Sequence, residues 1–194
     1  HHFALQPMPF LIFFLLIVAF YACQQAPPPP ADHVHLEDYF SSTETSPKSG
    51  GVRLIPIKTP KGEFKVWTKR FGNNPKIKVL LLHGGPGGTH EYFESFESFL
   101  PKEGIEFIYL DQLGSAYSDN PADTSLWNLP RFVEELEQIR VALDLNKDNF
   151  YLLGHSWGGI LAMQYALKYQ DNLIGLIVSN MMASCPKYGE YAEN

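Results

Sequence analysis

Residues 149–169, NFYLLGHSWGGILAMQYALKY, join a strand-like apolar run to a helix-like apolar run through Gly154-His155-Ser156-Trp157-Gly158-Gly159. This turn fits Gly-x-Ser-x-Gly, a pattern that places a serine on a sharp strand-to-helix bend. Small residues flank the serine because a side chain there would block the bend. We therefore predict that Ser156 projects its hydroxyl out of a sheet, beside the N–H groups at a helix N-terminus, and acts as a nucleophile.

Composition restricts the class of protein. Hydrophobic residues make up 45% of the 194 residues and charged residues 19%, which is typical of a globular domain. The net charge of −6, without any cluster of Lys or Arg, argues against a nucleic-acid-binding protein. The two cysteines, Cys23 and Cys185, are too few for a disulfide framework, and no His/Cys/Asp cluster has metal-ligand spacing.

The N-terminal region is predicted to direct the chain out of the cytoplasm. Residues 10–22 are an unbroken apolar run, too short to span a membrane and of the length of a signal-peptide core. The run ends at Ala22-Cys23, which resembles a bacterial lipoprotein cleavage site, with Cys23 as the lipidation site and membrane attachment point. We expect a signal peptide over 1–22, a Pro/Ser-rich linker over 23–50 and a folded domain over 51–194. The alternatives are a plain secretory signal and a membrane-anchoring segment with an incidental cysteine.

The apolar pattern of the domain predicts an α/β fold. Two β-rich segments around Lys58-Thr59-Pro60-Lys61-Gly62 indicate an antiparallel hairpin, and the strands that follow have the continuous apolar character of a buried parallel sheet. Helices alternate with these strands, so we expect a mostly parallel sheet. The predicted strands are 52–57, 63–70, 78–83, 106–111, 149–153 and 173–179, and the predicted helices are 90–100, a segment around 132–143, and 160–169.

The helix around 132–143 shows a clear two-faced pattern. Its apolar residues recur at spacings of three and four, which indicates a buried face. Its charged residues fall on the opposite face. The apolar set is Phe132, Val133, Leu136, Ile139 and Leu143, and the charged set is Glu134, Glu135, Glu137 and Arg140.

A glycine-rich loop, His83-Gly84-Gly85-Pro86-Gly87-Gly88, follows the first buried strand. Acyl transfer develops an oxyanion, which needs backbone N–H groups aimed at it, and glycines allow the backbone to come close. One such donor comes from this loop and the other from the residue after the nucleophile. We therefore nominate the N–H groups of Gly85 and Trp157. We expect Gly84 and Pro86 to shape the loop, Pro86 after a cis peptide bond, and His83 to hold it in place.

A third loop, residues 111–119 (DQLGSAYSD), follows the second buried strand. Asp111 is expected to cap the turn and brace the mouth of the site, because nothing in its spacing demands catalysis. His155 lies inside the serine motif, but its side chain should point away from the mouth and pack.

Taken together, HGGPGG, DQLGSAYSD and GHSWGG resemble the proline iminopeptidase family of α/β-hydrolases. The resemblance covers roughly residues 50–185, and the family's DQRG-x-G-x-S is DQLGSAYS here. It implies an α/β-hydrolase fold and a serine aminopeptidase that releases N-terminal proline from small peptides. It also implies an acyl-enzyme on Ser156 and no cofactor, since the chemistry needs only side chains and water. An esterase or lipase-like hydrolase and a non-catalytic binding protein of the same fold are the alternatives.

In this fold the catalytic acid and histidine follow the nucleophile along the chain. No histidine follows Ser156, and the acids that do are Asp171, Glu190 and Glu193, none placed after a later strand. We therefore expect the sequence to be the N-terminal part of a longer enzyme, truncated before its last strands and lid, and inactive in this form. On that expectation, residues 173–179 form an exposed sheet edge.

Overall fold

The computed structural model describes residues 49–193. The predicted signal peptide 1–22, the lipidation site Cys23 and nearly all of the 23–50 linker lie outside these residues and stay predictions. Within the described residues, no helix combines the length and the apolar character needed to cross a bilayer.

The domain begins with the hairpin that the sequence predicts. Strand β1 (Ser49–Thr59) pairs antiparallel with β2 (Gly62–Phe71), and Thr59 lies opposite Gly62 across the turn. Gly62 has φ +120°, a conformation that L side chains rarely adopt, so glycine suits the end of this turn.

Four further strands complete the described sheet: β3 (Lys78–Leu82), β4 (Glu106–Asp111), β5 (Phe150–His155) and β6 (Gly175–Ser179). Their order is β1-β2-β4-β3-β5-β6. β2 pairs antiparallel with β4, and the pairs β4–β3, β3–β5 and β5–β6 are parallel. The predicted mixed, mostly parallel sheet is confirmed. Because β3, β4 and β5 run in the same direction, the three loops that follow them lie together at the C-terminal ends of the strands.

Within residues 49–193, three α-helices and several 3₁₀ helices accompany the sheet. The α-helices are α1 (Leu129–Ala142), α2 (Trp157–Tyr169) and α3 (Cys185–Ala192). α1 begins at Asn128, whose side-chain oxygen accepts a hydrogen bond from the N–H of Arg131, and Pro130 occupies the first turn. α1 and α2 bury their apolar faces in one core with the sheet, through Phe132, Leu136, Ile139, Leu161 and Tyr165.

The segment predicted as a helix over 90–100 forms two 3₁₀ helices instead, His90–Ser98 and Leu100–Glu103. His90 and Phe93 are buried. Phe96 is partly buried against the apolar cluster that contains Phe93. A spacing of three residues matches the 3₁₀ turn, which places these side chains above one another. The expectation of an ordinary amphipathic helix was wrong here because it assumed the 3.6-residue period.

The charged face predicted for α1 also needs correction. Glu135 is only 1% exposed and pairs with Arg131 on the same helix, and one of its carboxylate oxygens accepts the N–H of Leu113 at 3.0 Å. Glu137 accepts the hydroxyl of Tyr165 at 2.7 Å. All three glutamates therefore contact another element, but Glu134 does so in a half-exposed position, where it pairs with Lys168 of α2.

Strand β6 differs from the other parallel strands in its exposure. Leu176, Ile177 and Val178 are 38%, 44% and 42% exposed, whereas Leu80 and Leu152, from the inner strands β3 and β5, are fully buried. Within the described residues β6 pairs only with β5. This edge therefore presents apolar side chains and unpaired backbone groups together.

We predict that Glu135→Ala lowers the free energy of unfolding by about 3 kcal/mol, because it leaves the Arg131 guanidinium buried without its anionic partner. Glu134→Ala is the matched control on the same helix and should cost less than about 1 kcal/mol, since its ion pair with Lys168 is exposed. Urea denaturation of both variants measures the difference. Equal losses of stability would contradict the bracing role assigned to Glu135.

Candidate active site

The bend between β5 and α2 holds Ser156 in a strained conformation. Ser156 has φ +53° and ψ −117°, an unusual backbone conformation for a residue with a side chain. Such strain costs about 1–3 kcal/mol and persists only where the surroundings enforce it. Two backbone hydrogen bonds hold the bend, from Ser156 N–H to the carbonyl of Ser179 and from Gly159 N–H to the carbonyl of Ser156, each at 2.9 Å.

The two glycines of Gly-x-Ser-x-Gly are required by close backbone contacts. A Cβ at Gly154 would lie 2.2 Å from the carbonyl oxygen of Gly158. A Cβ at Gly158 would lie 2.2 Å from the carbonyl oxygen of Leu82, at the end of β3. The start of α2 therefore packs directly on the backbone of the sheet, and this approach forces the bend that presents Ser156.

The glycine-rich loop meets this bend at Gly84. A Cβ at Gly84 would lie 3.2 Å from the Cβ of Ser156, so the loop backbone passes immediately beside the serine. Gly85 has φ +125°, and the peptide bond between Gly85 and Pro86 is cis, as predicted from the sequence.

His83 orients the peptide group that carries the nominated Gly85 donor. The carbonyl oxygen of Gly84 lies 2.8 Å from His83 Nδ1 and accepts the N–H of Gly88 at 3.2 Å. In a trans peptide the C=O and N–H groups point in opposite directions. Because the Gly84 carbonyl is held toward His83 and Gly88, the N–H of Gly85 points away from them. It donates to no protein group within the described residues.

The second nominated donor belongs to Trp157, the first residue of α2. The N–H groups of a helix's first turn have no partner within the helix, so this amide is free for an anion. The Trp157 side chain is also fixed, because its indole N–H donates to Oε1 of Gln112 at 3.1 Å.

Gln112 connects the two donor-bearing segments. Its backbone N–H donates to Nε2 of His83 at 3.1 Å, and its side-chain amide donates to the carbonyl of His83 at 3.4 Å. Since the same side chain accepts the Trp157 indole, Gln112 ties the start of the glycine-rich loop to the residue after Ser156.

These contacts define the state of His83. His83 Nε2 accepts a hydrogen bond from the backbone N–H of Gln112, so this nitrogen carries no proton. The imidazole is therefore neutral, with its proton on Nδ1, which donates to the Gly84 carbonyl. His83 is fully buried, and this burial lowers its pKa below the ordinary value of 6.5. The ring is thus placed as a neutral bridge between two loops.

Asp111 is buried beneath the third loop and braces it. One of its carboxylate oxygens accepts both the backbone N–H and the Nδ1–H of His90, each at 2.9 Å. The other lies 3.4 Å from the N–H of Tyr117. The contact between Asp111 and His90 therefore joins the DQLGSAYSD loop to the first 3₁₀ helix.

None of the three histidines in the described residues hydrogen-bonds to Ser156. His83 bridges the loops, His90 pairs with Asp111, and the ring of His155 packs at a tilt against that of Tyr92, with centroids 5.2 Å apart. Ser156 Oγ has no hydrogen-bonding partner in this part of the chain. The described residues also contain no group of three or more His, Cys, Asp or Glu side chains arranged to hold a metal ion.

The sequence indicated the two nominated backbone donors and their loops but not three polar residues nearby. Gln112 bonds to His83 and Trp157, and His90 and Glu135 hold the 111–119 loop. Gln112 adjoins Asp111 at the end of a buried strand, which is a position where a polar side chain faces the site. His90 and Glu135 gave no comparable indication, because both stand in segments whose pattern alone favours an exposed polar face.

The sheet order and the strained serine at the bend between β5 and α2 are those of an α/β-hydrolase. The sequence profile of the family described as "alpha/beta hydrolase fold" matches residues 78–193. The chain therefore belongs to this family.

Within this family, the chain is similar in sequence to proteins named proline iminopeptidase. The chain is 70% identical to the enzyme of that name from Flavobacterium johnsoniae and 69% identical to that from Elizabethkingia meningoseptica, each over 140 residues. Each match covers 72% of this chain and 47% of the relative, so the chain spans about half the length of the curated relatives it matches.

The crystal structure of proline iminopeptidase from Mycobacterium smegmatis superposes with a TM-score of 0.64 at 27% identity, covering 73% of this chain and 48% of that one. The crystal structure of VinJ gives 0.64 at 31% identity with the same coverage.

We predict that the imidazole of His83 stays in the neutral Nδ1–H form as the pH falls below 6.5, the pH at which an unperturbed histidine is half protonated. Because its folded-state pKa is lowered, the unfolded chain binds more protons below that pH. Stability should therefore decrease as the pH falls from about 6.5 toward the folded-state pKa. An NMR titration of the histidine ring nitrogens measures the state directly. A His83 ring that protonates at or above pH 6.5 would contradict the bridging geometry.

Proposed function

We propose that this chain carries the nucleophile and the oxyanion hole of a serine aminopeptidase that releases N-terminal proline from peptides. The observation that carries the proposal is the strained Ser156 beside the free N–H groups of Gly85 and Trp157. The proline specificity rests on relatives named proline iminopeptidase at 69–70% identity.

In the proposed reaction, Ser156 Oγ attacks the carbonyl carbon of the proline residue. The carbonyl oxygen gains negative charge and is stabilised by the two backbone N–H groups. The C–N bond to the next residue then breaks, the leaving amine takes up a proton, and proline stays attached to Ser156 as an ester until water hydrolyses it. The serine proton must pass to a base, because an unassisted hydroxyl is a poor nucleophile.

We propose further that no residue of the described part acts as this base. All three histidines there are engaged elsewhere, and Ser156 Oγ bonds to none of them. The 194-residue chain would then present the hole and the nucleophile without activating the nucleophile.

A fluorophosphonate probe tests the state of Ser156 in the 194-residue chain. We expect labelling to be slower than in an intact serine hydrolase by about 10³-fold or more, as when a member of a catalytic triad is removed. Rapid labelling that disappears in Ser156→Ala would show that the chain activates its own serine.

A fusion tests the reaction and its specificity. Residues 1–194 are joined to the part of the Flavobacterium johnsoniae relative that lies beyond the matched region, and the product is assayed on proline arylamide and on p-nitrophenyl esters. We expect the fusion to cleave the arylamide and the Ser156→Ala variant of the fusion not to cleave it. The full-length Flavobacterium johnsoniae relative is the positive control. Cleavage of esters alone would instead favour an esterase, and Ser156-independent cleavage would contradict the proposed nucleophile.

A further inference from the structure

A cavity of about 390 Å³ lies against the proposed oxyanion hole. Its volume falls in the range of small-ligand pockets, about 300–1,000 Å³. The glycine-rich loop contributes Pro86 and Gly87, the serine bend contributes Trp157, and the rest of the wall comes from residues 112–115, 127–129 and 132.

Three aromatic rings form the main wall of this cavity and are held in place. Phe132 meets Trp157 edge-on with centroids 5.8 Å apart, and its ring lies nearly parallel to that of Trp127 at 6.4 Å. Trp127 in turn rests on Gly114, where an added Cβ would lie 2.6 Å from the indole ring. The wall is therefore preformed and apolar.

The cavity offers no ionised partner for a charged group. No side chain that lines it is ionisable. The side-chain amides of Gln112 and Asn128 already bond within the protein, to Trp157 and His83 in the first case and to Arg131 and Ser125 in the second. A carboxylate placed here would lose its hydration without an ionised partner. A cation would meet aromatic faces that already carry a cation, because the Arg131 guanidinium lies 3.7 Å from the ring centroid of Phe132 and 5.8 Å from that of Trp127.

The position of the cavity relates it to one side of the substrate. Trp157 contributes both a wall of the cavity and an oxyanion donor, and Pro86 directly follows the other donor, Gly85. A carbonyl held by the two donors therefore has one of its two substituents beside the cavity. On the proline side that substituent carries a protonated ring nitrogen next to the carbonyl, which this wall does not accommodate. On the leaving side it is the second residue, whose side chain carries no obligatory charge.

We propose that this cavity binds the apolar side chain of the residue that follows the N-terminal proline. The inference rests on the proposed function for the direction of the substrate. It assigns a substrate class, peptides that begin with proline and continue with a large apolar or aromatic residue.

Binding to the 194-residue chain tests the pocket without requiring hydrolysis. The probes are Pro-Phe-amide, Pro-Asp-amide and Pro-Lys-amide, titrated while the indole N–H signals of the three tryptophans are followed by NMR. We expect Pro-Phe-amide to bind about tenfold more tightly than either charged probe, the factor that corresponds to burying most of an aromatic side chain. Trp127 and Trp157 should shift, and Trp67, which packs in a separate cluster with Phe71 and Tyr109, should not.

A matched pair of variants locates the binding. Leu129 lines the cavity at the start of α1, so Leu129→Trp should fill part of it and reduce the affinity for Pro-Phe-amide about tenfold. Leu167 is 77% exposed on α2 and does not line this cavity, so Leu167→Trp should leave the affinity unchanged. The comparison of the three probes on the unchanged chain remains decisive if Leu129→Trp does not fold.

Equal binding of the three probes, shifts at Trp67 in place of Trp127 and Trp157, or equal effects of the two variants would each overturn the pocket assignment. The proposed function fails on a different result, the absence of proline arylamide cleavage by the fusion. A preference for Pro-Phe-amide together with an inactive fusion would therefore support the pocket and reject the peptidase.

Discussion

The contact between the backbone of α2 and the backbone of the sheet is the constraint on which the site depends. Gly158 lies so close to the carbonyl of Leu82, and Gly154 so close to that of Gly158, that neither position has room for a Cβ. This approach gives the chain no gradual route from strand to helix, so the bend falls on Ser156 at positive φ. It also brings the first N–H of α2 beside the end of β3, where the glycine-rich loop begins. The positions of Ser156 and of the Trp157 N–H are thus consequences of one packing contact.

Much of this arrangement is predictable from the sequence because it follows from local patterns. The hairpin, the parallel strands and the serine bend each depend on residues close together along the chain, such as Pro60 and Gly62 at the turn. The parallel direction of β3, β4 and β5 then places their loops at one edge without further information. The helix expected over residues 90–100 was wrong in type because a 3.6-residue period was assumed, and the burial of His90 against the distant Asp111 is not visible in the local pattern.

The unpredicted residues share a physical property, which is that they are polar groups buried by long-range contacts. Glu135 stands at a position where helical periodicity favours solvent, yet it accepts the backbone N–H of Leu113 and pairs with Arg131. Gln112 bridges His83 and Trp157 across three segments of the chain. Hydrophobic periodicity reports which face of an element is apolar. It does not report which loop amide needs an acceptor, and the loops of a catalytic edge contain many such amides.

The oxyanion hole and the base of a serine hydrolase therefore make different demands on a sequence. Both proposed donors of the hole are backbone N–H groups, so two short glycine-containing motifs, residues 83–88 and 154–159, would be enough to build it. The base is a side chain that must arrive at Ser156 from a separate element with its own support.

In the described residues every histidine already has another partner, and His83 in particular is needed in its neutral form to turn the Gly85 amide outward. If His83 served as the base, its Nε2 would have to release the N–H of Gln112, and protonation would place a charge in a fully buried position. The hydrogen bonds by which His83 orients the Gly85 amide thus also occupy both of its ring nitrogens, so His83 is not free to take the proton of Ser156.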